Sequence, residues 1–164
     1  MNAREEAIKQ LLEHKKIQDD LIRTKGVEDL YIFNKYVLGV EKGKQKLADF
    51  HRELCDFVTD DKNKKKLMLL PRGHLKSTLV TIGYVTQQIV KNPNIRVLIL
   101  SATWQMAVDF LTEVKRHLEG NERLIELYGN LTLNNTEWSQ DRITLKRTDT
   151  NIKGPTVWAT GIDS

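Results

Sequence analysis

The sequence predicts an α/β fold, an open parallel sheet flanked by helices and preceded by an N-terminal helical segment, on three observations. A continuous apolar run at residues 67–70 gives way to a Pro-Arg-Gly turn and a helical pattern. A second apolar run at 95–100 is again followed by a helix, and the residues before 47 carry helical periodicity alone. Strand, helix, strand, helix with right-handed crossovers specifies a parallel sheet, and ligands of such sheets bind beyond the carboxyl ends of the strands.

Each element follows from its own pattern. Residues 3–23 place Ala7, Leu11, Leu12, Ile17, Leu21 and Ile22 among many charges, which predicts a solvent-facing amphipathic helix ended by Gly26. Leu30, Tyr31, Phe33, Tyr36 and Val37 predict a better buried helix over 27–38, closed by Gly39, and a polar connector fills 41–46. Leu47, Phe50, Leu54, Phe57 and Val58 recur at three- and four-residue spacing, so 47–58 is a third helix with one apolar stripe. A charged turn leads to the run Leu67-Met68-Leu69-Leu70, the pattern of a strand covered on both faces; periodicity alone equally admits a helix here, and the turn and helix that follow favour the strand. Leu79, Val80, Ile82, Val85 and Ile89 give a helix from Ser77 to Val90, stopped by Asn92-Pro93-Asn94. After the strand at 95–100, Ser101-Ala102-Thr103 opens a helix over 104–118. A short helix at 123–128, a polar stretch to Ser139, and two strands at 142–146 and 156–160, paired antiparallel, complete the chain.

Bulk properties narrow the class. The chain has 164 residues, of which 40% are apolar and 29% charged, enough to bury a core and unlike a disordered segment. The net charge of +4 permits contact with nucleic acid without requiring it. One cysteine, Cys55, falls in the apolar pattern of its helix, which predicts a small core residue and excludes an intramolecular disulfide. The N-terminal residues lack the apolar stretch of a signal peptide and no run matches a membrane span, so a soluble cytoplasmic protein with no membrane partner is expected.

The chemistry concentrates at the end of the first apolar run, in Leu70-Pro71-Arg72-Gly73-His74-Leu75-Lys76-Ser77-Thr78. A phosphate-binding loop needs backbone N–H groups facing a concavity, a helix N-terminus behind them, a lysine for the β- and γ-phosphates and a hydroxyl for Mg2+. Lys76 and Ser77 stand at the last two positions, whereas the two glycines of the standard pattern are replaced by Leu70 and Leu75. Gly73 is the one glycine in the turn. By spacing alone Lys-Ser-Thr is also an ordinary helix start; the buried strand expected before it, the amphipathic helix it opens and the second strand ending in Ser101-Ala102-Thr103 favour the phosphate loop.

Pro-Arg-Gly-His-Leu-Lys-Ser-Thr, with Ser-Ala-Thr after the next strand and Phe-His-Arg-Glu-Leu-Cys upstream, resembles the ATPase domain of the bacteriophage terminase large subunit over residues 47–164. The resemblance implies a P-loop NTPase fold of the RecA-like type, with 1–46 as an N-terminal helical segment and 47–164 as a partial ATPase domain. It implies ATP and Mg2+ as cofactors, bound by Pro71, Gly73, His74, Leu75, Lys76, Ser77 and Thr78, with Ser77 on the metal. Arg72 and Lys76 are the implied catalytic residues, Arg72 acting on the γ-phosphate as an arginine finger does, with a salt bridge to a neighbouring acid as its alternative. Phe50 and His51 stand where adenine is held, one stacking on the base and the other meeting its edge; Phe50 equally fits the apolar stripe of its helix. Double-stranded viral DNA, a portal protein, a small terminase subunit and a homo-oligomeric motor are the implied partners.

Phosphoryl transfer also needs an apolar strand ending in an acid, and none is found; the nearest candidate, 156–163, is interrupted at Thr160 and Gly161 and has Ser164 after Asp163. The expectation is therefore a truncated domain, without the nuclease domain of the family, whose sheet has an unpaired edge. Two alternatives remain open at the sequence level. One is a helicase-like DNA translocase; the other is a non-catalytic DNA-binding or assembly fragment with a vestigial loop, using the basic patches at 62–66 and 142–147.

Overall fold

Helices and a small mixed sheet share the chain, as an α/β architecture requires. The computed structural model describes residues 3–41, 46–133 and 137–162. Most of the polar connector at 41–46, and the acid Asp163 with Ser164, lie outside the described residues.

The first helix, α1 (Ala3–Glu28), runs straight through Gly26 instead of ending there. The glycine serves packing: a Cβ at Gly26 would stand 2.8 Å from Tyr128 Oη and 3.3 Å from Val37 Cγ2. A helix tolerates one interior glycine at about 1 kcal/mol, and Gln87 Nε2 offsets part of this by donating to the carbonyl of Gly26 (2.8 Å). Asp29 breaks the helix and caps α2 (Leu30–Ile32) by accepting from Ile32 N–H (3.0 Å). α2 widens at once into a π-helical segment, Phe33–Val37. α3 (Asp49–Thr59) follows, close to its predicted bounds, with Leu54, Cys55 and Val58 buried. Lys66 Nζ donates to the carbonyl of Val58 (2.6 Å) and closes the C-terminus of α3, so this member of the 62–66 basic patch has a structural task.

The predicted strand at 67–70 is not a strand. Met68 and Leu70 pack against the cluster built from Leu30, Leu54, Cys55, Val58 and Leu79, but Leu67 and Leu69 are 78% and 82% exposed, and the segment forms no ladder with any described strand. An apolar run specifies burial, whereas a strand also needs a neighbour for its backbone N–H and C=O groups. The following helix begins as a π-helical segment, Ser77–Tyr84, and continues as α4 (Val85–Lys91). The two wide segments meet where Asn34 lies on Gly83: a Cβ at Gly83 would fall 2.0 Å from Asn34 Oδ1, and Asn34 Nδ2 donates to the carbonyls of Leu30 (2.9 Å) and Leu79 (3.3 Å).

Next come β1 (Val97–Ser101), α5 (Trp104–Gly120), α6 (Glu122–Tyr128), β2 (Glu137–Trp138), β3 (Arg142–Thr144) and β4 (Val157–Gly161). The sheet order is β1-β4-β3-β2, with β1 parallel to β4 and the other two pairs antiparallel. The expected parallel sheet is thus a mixed one, because β4 receives both the crossover partner β1 and the hairpin partner β3. The expected antiparallel pairing of the last two strands holds, and β2 adds a pair of residues too short to leave a sequence pattern. Thr156 knits the strands: its carbonyl accepts from Val97 N–H (2.8 Å) and its hydroxyl accepts from Leu145 N–H (3.1 Å).

Among the described residues, one face of the sheet is covered. Ile99, Ile143, Val157 and Ala159 pack on Ala107, Leu111, Val114 and Leu118 of α5 and on Ile82, Val85 and Ile89. On the other face Leu98 and Leu100 are 57% and 55% exposed, where the sequence predicted helices on both sides. Gly161 lets α5 start directly over the end of β4, since a Cβ there would be 2.4 Å from Trp104 N. A third cluster joins Phe33, Val37 and Leu38 to Leu124 and Leu127 of α6, and no helix of the described residues is long and apolar enough to cross a membrane.

A basic cleft at the head of the 77–91 helix

Residues 71–75 form a tight loop between the extended segment and the helix. Two of its residues have positive φ: Gly73 at 82° and Leu75 at 53°, the latter being the one non-glycine residue in that region among the described residues. An L-residue pays about 1–2 kcal/mol for that conformation. Leu75 stands at the position before the lysine, so the turn that glycine usually makes is made here by leucine. Its side chain is half-buried against the cluster of Leu54, Val58 and Leu79, which holds it in place.

The loop frames an open cleft of about 570 Å3, lined by Leu70, residues 71–78 and Met106. Pro71, Arg72, Gly73, His74, Leu75, Lys76, Ser77 and Thr78, contiguous in the chain, all line this cleft. Lys76, Ser77 and Thr78 lie half-buried in the first turn of the helix, where free backbone N–H groups and the helix dipole favour an anion. Arg72 and Lys76 form no ion pair with a described residue, so the salt bridge weighed for Arg72 is not formed with any of them. No carboxylate lines the cleft among the described residues, and its lining is net positive.

His74 closes one side. Its Nδ1 donates to the carbonyl of Arg72 (3.1 Å), which tightens the turn, and its ring lies 5.6 Å from that of Phe50 at 56°. Phe50 thereby reaches the loop from α3. The two rings are too close and too tilted to admit a base between them, since a stacked ring needs about 3.5 Å of clearance on each side. A base would lie against the outer face of one ring.

His51 does a different task from the one its position implied. The N–H of Ala48 donates to His51 Nδ1 (2.9 Å), which caps the start of α3. With Nδ1 accepting, Nε2 carries the ring proton, and this buried N–H has no partner among the described residues. His51 has spent its acceptor on the helix, and its buried Nε2–H does not line the cleft. Its ring rests on Phe50 at 3.8 Å between centroids.

Met106 was not anticipated from sequence. Thr103 accepts from Met106 N–H (3.3 Å) and so caps α5, which carries the first turn of that helix to the cleft. The cap is legible in Ser101-Ala102-Thr103; its approach to a loop some 30 residues earlier is a tertiary event. Cys55 is buried and its thiol is pushed up to about 12 by burial, the state of an inert core thiol.

Ser77 supplies one hard oxygen donor, which suits Mg2+ held mainly by water and phosphate oxygens. Comparison with family models, with curated proteins and with solved structures gives no significant match.

Proposed function

We propose that this cleft binds the triphosphate of ATP with Mg2+, and that the chain is the ATP-binding part of a DNA-packaging motor of the terminase large-subunit kind. The observation that carries the reading is the loop itself. Positive φ at Gly73 and Leu75 turns the chain sharply into a helix whose first residues are Lys76, Ser77 and Thr78, all lining one cleft. Of the two leucines that replace glycines of the standard pattern, Leu75 adopts the glycine-like conformation and Leu70 does not.

Each residue then has a role. Backbone N–H groups of residues 73–77 surround the phosphates, and Lys76 meets the β- and γ-phosphates as a point charge. Ser77 would hold the magnesium ion, which would supply charge neutralisation for the phosphates. Arg72, exposed at the rim, would lie against the γ-phosphate, and Phe50 would offer a face to the base. The described lining supplies binding and charge stabilisation; a carboxylate to orient the attacking water is not among it.

Titration with a fluorescent ATP analogue in the presence of Mg2+ tests the reading. Wild type should bind, and Lys76→Ala should weaken binding by about tenfold or more, the value of a lost charge-assisted contact. Equal binding by wild type and Lys76→Ala would remove the proposal.

A further inference from the structure

We propose that the uncovered face of the sheet, centred on Trp158, binds single-stranded nucleic acid by base stacking. Register places Leu98, Trp158 and Arg142 in one row across β1, β4 and β3, all on the side away from α5. Trp158 is 40% exposed, and the guanidinium carbon of Arg142 lies 5.2 Å from its ring centroid. On the other side of the tryptophan is a recess of about 400 Å3 lined by Arg96, Val97, Leu98, Pro155 and Trp158. Arg96 is exposed, forms no ion pair with a described residue, and rests beside Gly154, whose Cβ would be 3.7 Å from its Nη2.

One exposed tryptophan is unremarkable on a protein surface. This one differs in its setting: an indole with an arginine on each side and a recess large enough for a base and its sugar. Aromatic faces that take bases, flanked by cations that follow the phosphates, are the chemistry of single-strand recognition. A duplex keeps its bases stacked inside, out of reach of a side chain standing on a flat sheet.

Charge selects this occupant over an apolar peptide. Residues 142–158 contain the exposed cations Arg142, Lys146 and Lys153 against the exposed Asp149 alone, the guanidinium of Arg147 being turned inward onto the carbonyl of Ile152 (2.7 Å). The carboxylates on this side are engaged: Asp141 lies 3.5 Å from Arg142 Nε, and Glu137 accepts from the hydroxyl of Thr144 (3.0 Å). The recess shares no lining residue with the phosphate-loop cleft, so the proposal stands or falls independently of ATP binding.

Fluorescence anisotropy of a labelled oligothymidylate of about a dozen nucleotides, within the usual span of one such surface, provides the test. Wild type should bind in a salt-sensitive manner. Trp158→Ala should weaken binding about tenfold, Arg96→Glu should weaken it comparably, Trp158→Phe should retain it within about threefold, and Lys76→Ala should leave it unchanged. Circular dichroism identifies any variant that fails to fold, and Trp158→Phe with Arg96→Glu carries the test if Trp158→Ala does. The proposal is overturned by absence of binding in wild type, by binding indifferent to these substitutions, or by equal affinity for the matching duplex. Self-association of the free protein that Arg96→Glu abolishes, without oligonucleotide binding, would assign the face instead to contact between copies.

Discussion

Leu75 spends conformational energy at the head of the cleft, and its neighbours repay it through packing. At an ordinary position alanine is more stable than glycine by about 0.5–1 kcal/mol, because glycine loses more backbone freedom on folding. At φ 53° the order should invert. Leu75→Ala keeps the unfavourable backbone and loses the half-buried side chain; Leu75→Gly loses the side chain and relieves the backbone. Urea unfolding should therefore find Leu75→Gly more stable than Leu75→Ala by about 1 kcal/mol. The usual order would mean that the loop does not hold Leu75 in the left-handed region. The same residue shows what a sequence carries at this scale: the loop was legible because its residues are contiguous, while the conformation of Leu75 runs against its own preference and comes from the packing beneath it.

The contact of α1 with α6 turns on Gly26. Adding a methyl group there improves helix propensity by about 1 kcal/mol yet places a carbon 2.8 Å from Tyr128 Oη, which itself donates to the carbonyl of Arg23 (2.9 Å). Gly26→Ala should be destabilising by about 1–2 kcal/mol on balance, the usual cost of overpacking. Tyr128→Phe removes the obstructing oxygen, so the double variant should be less destabilised than the sum of the single ones; strict additivity in a thermal-melt cycle would deny the contact. A glycine near the end of a helical pattern looks like a stop signal, and only the neighbouring helix distinguishes a stop from a point of close approach. The helices beginning near 47 and 104 were legible because a one-sided apolar stripe is local information. The run at 67–70 was misleading because Leu67 and Leu69 have the composition of a buried strand and no pairing partner. Arg142 and Trp158 come together through strand register, which no local pattern encodes.

Across the whole molecule, three apolar clusters share the work of folding, with one ionisable group, Cys55, inside the second and another, Tyr128, half-buried against the third. The Cys55 thiol and the Tyr128 hydroxyl are both pushed up to about 12, in each case chiefly by burial, from ordinary values of 9.0 and 10.0. Folding holds both in the neutral form. Their contribution is present in full below pH 9 and is lost as pH rises towards about 12, because the unfolded chain releases its protons first. The urea midpoint should be level around neutrality and fall across that alkaline window, less steeply in Tyr128→Phe. A midpoint unchanged across the window would show that both groups ionise freely in the folded state.

α1 adds a mechanical property. Its 26 residues span about 39 Å, and residues 6–18 are all exposed. From its middle onward the helix is held to α6 by ion pairs at Lys15–Glu126 (3.0 Å) and Asp19–Arg123 (2.6 Å). The helix is thus a cantilever whose fixed end combines these charges with the packing of Ile22 and the close contacts of Gly26. Salt shortens the reach of those charges to about 8 Å at physiological strength. Raising it further should weaken these pairs and leave the packing around Ile22 and Gly26 as the fulcrum, with a longer free arm before it.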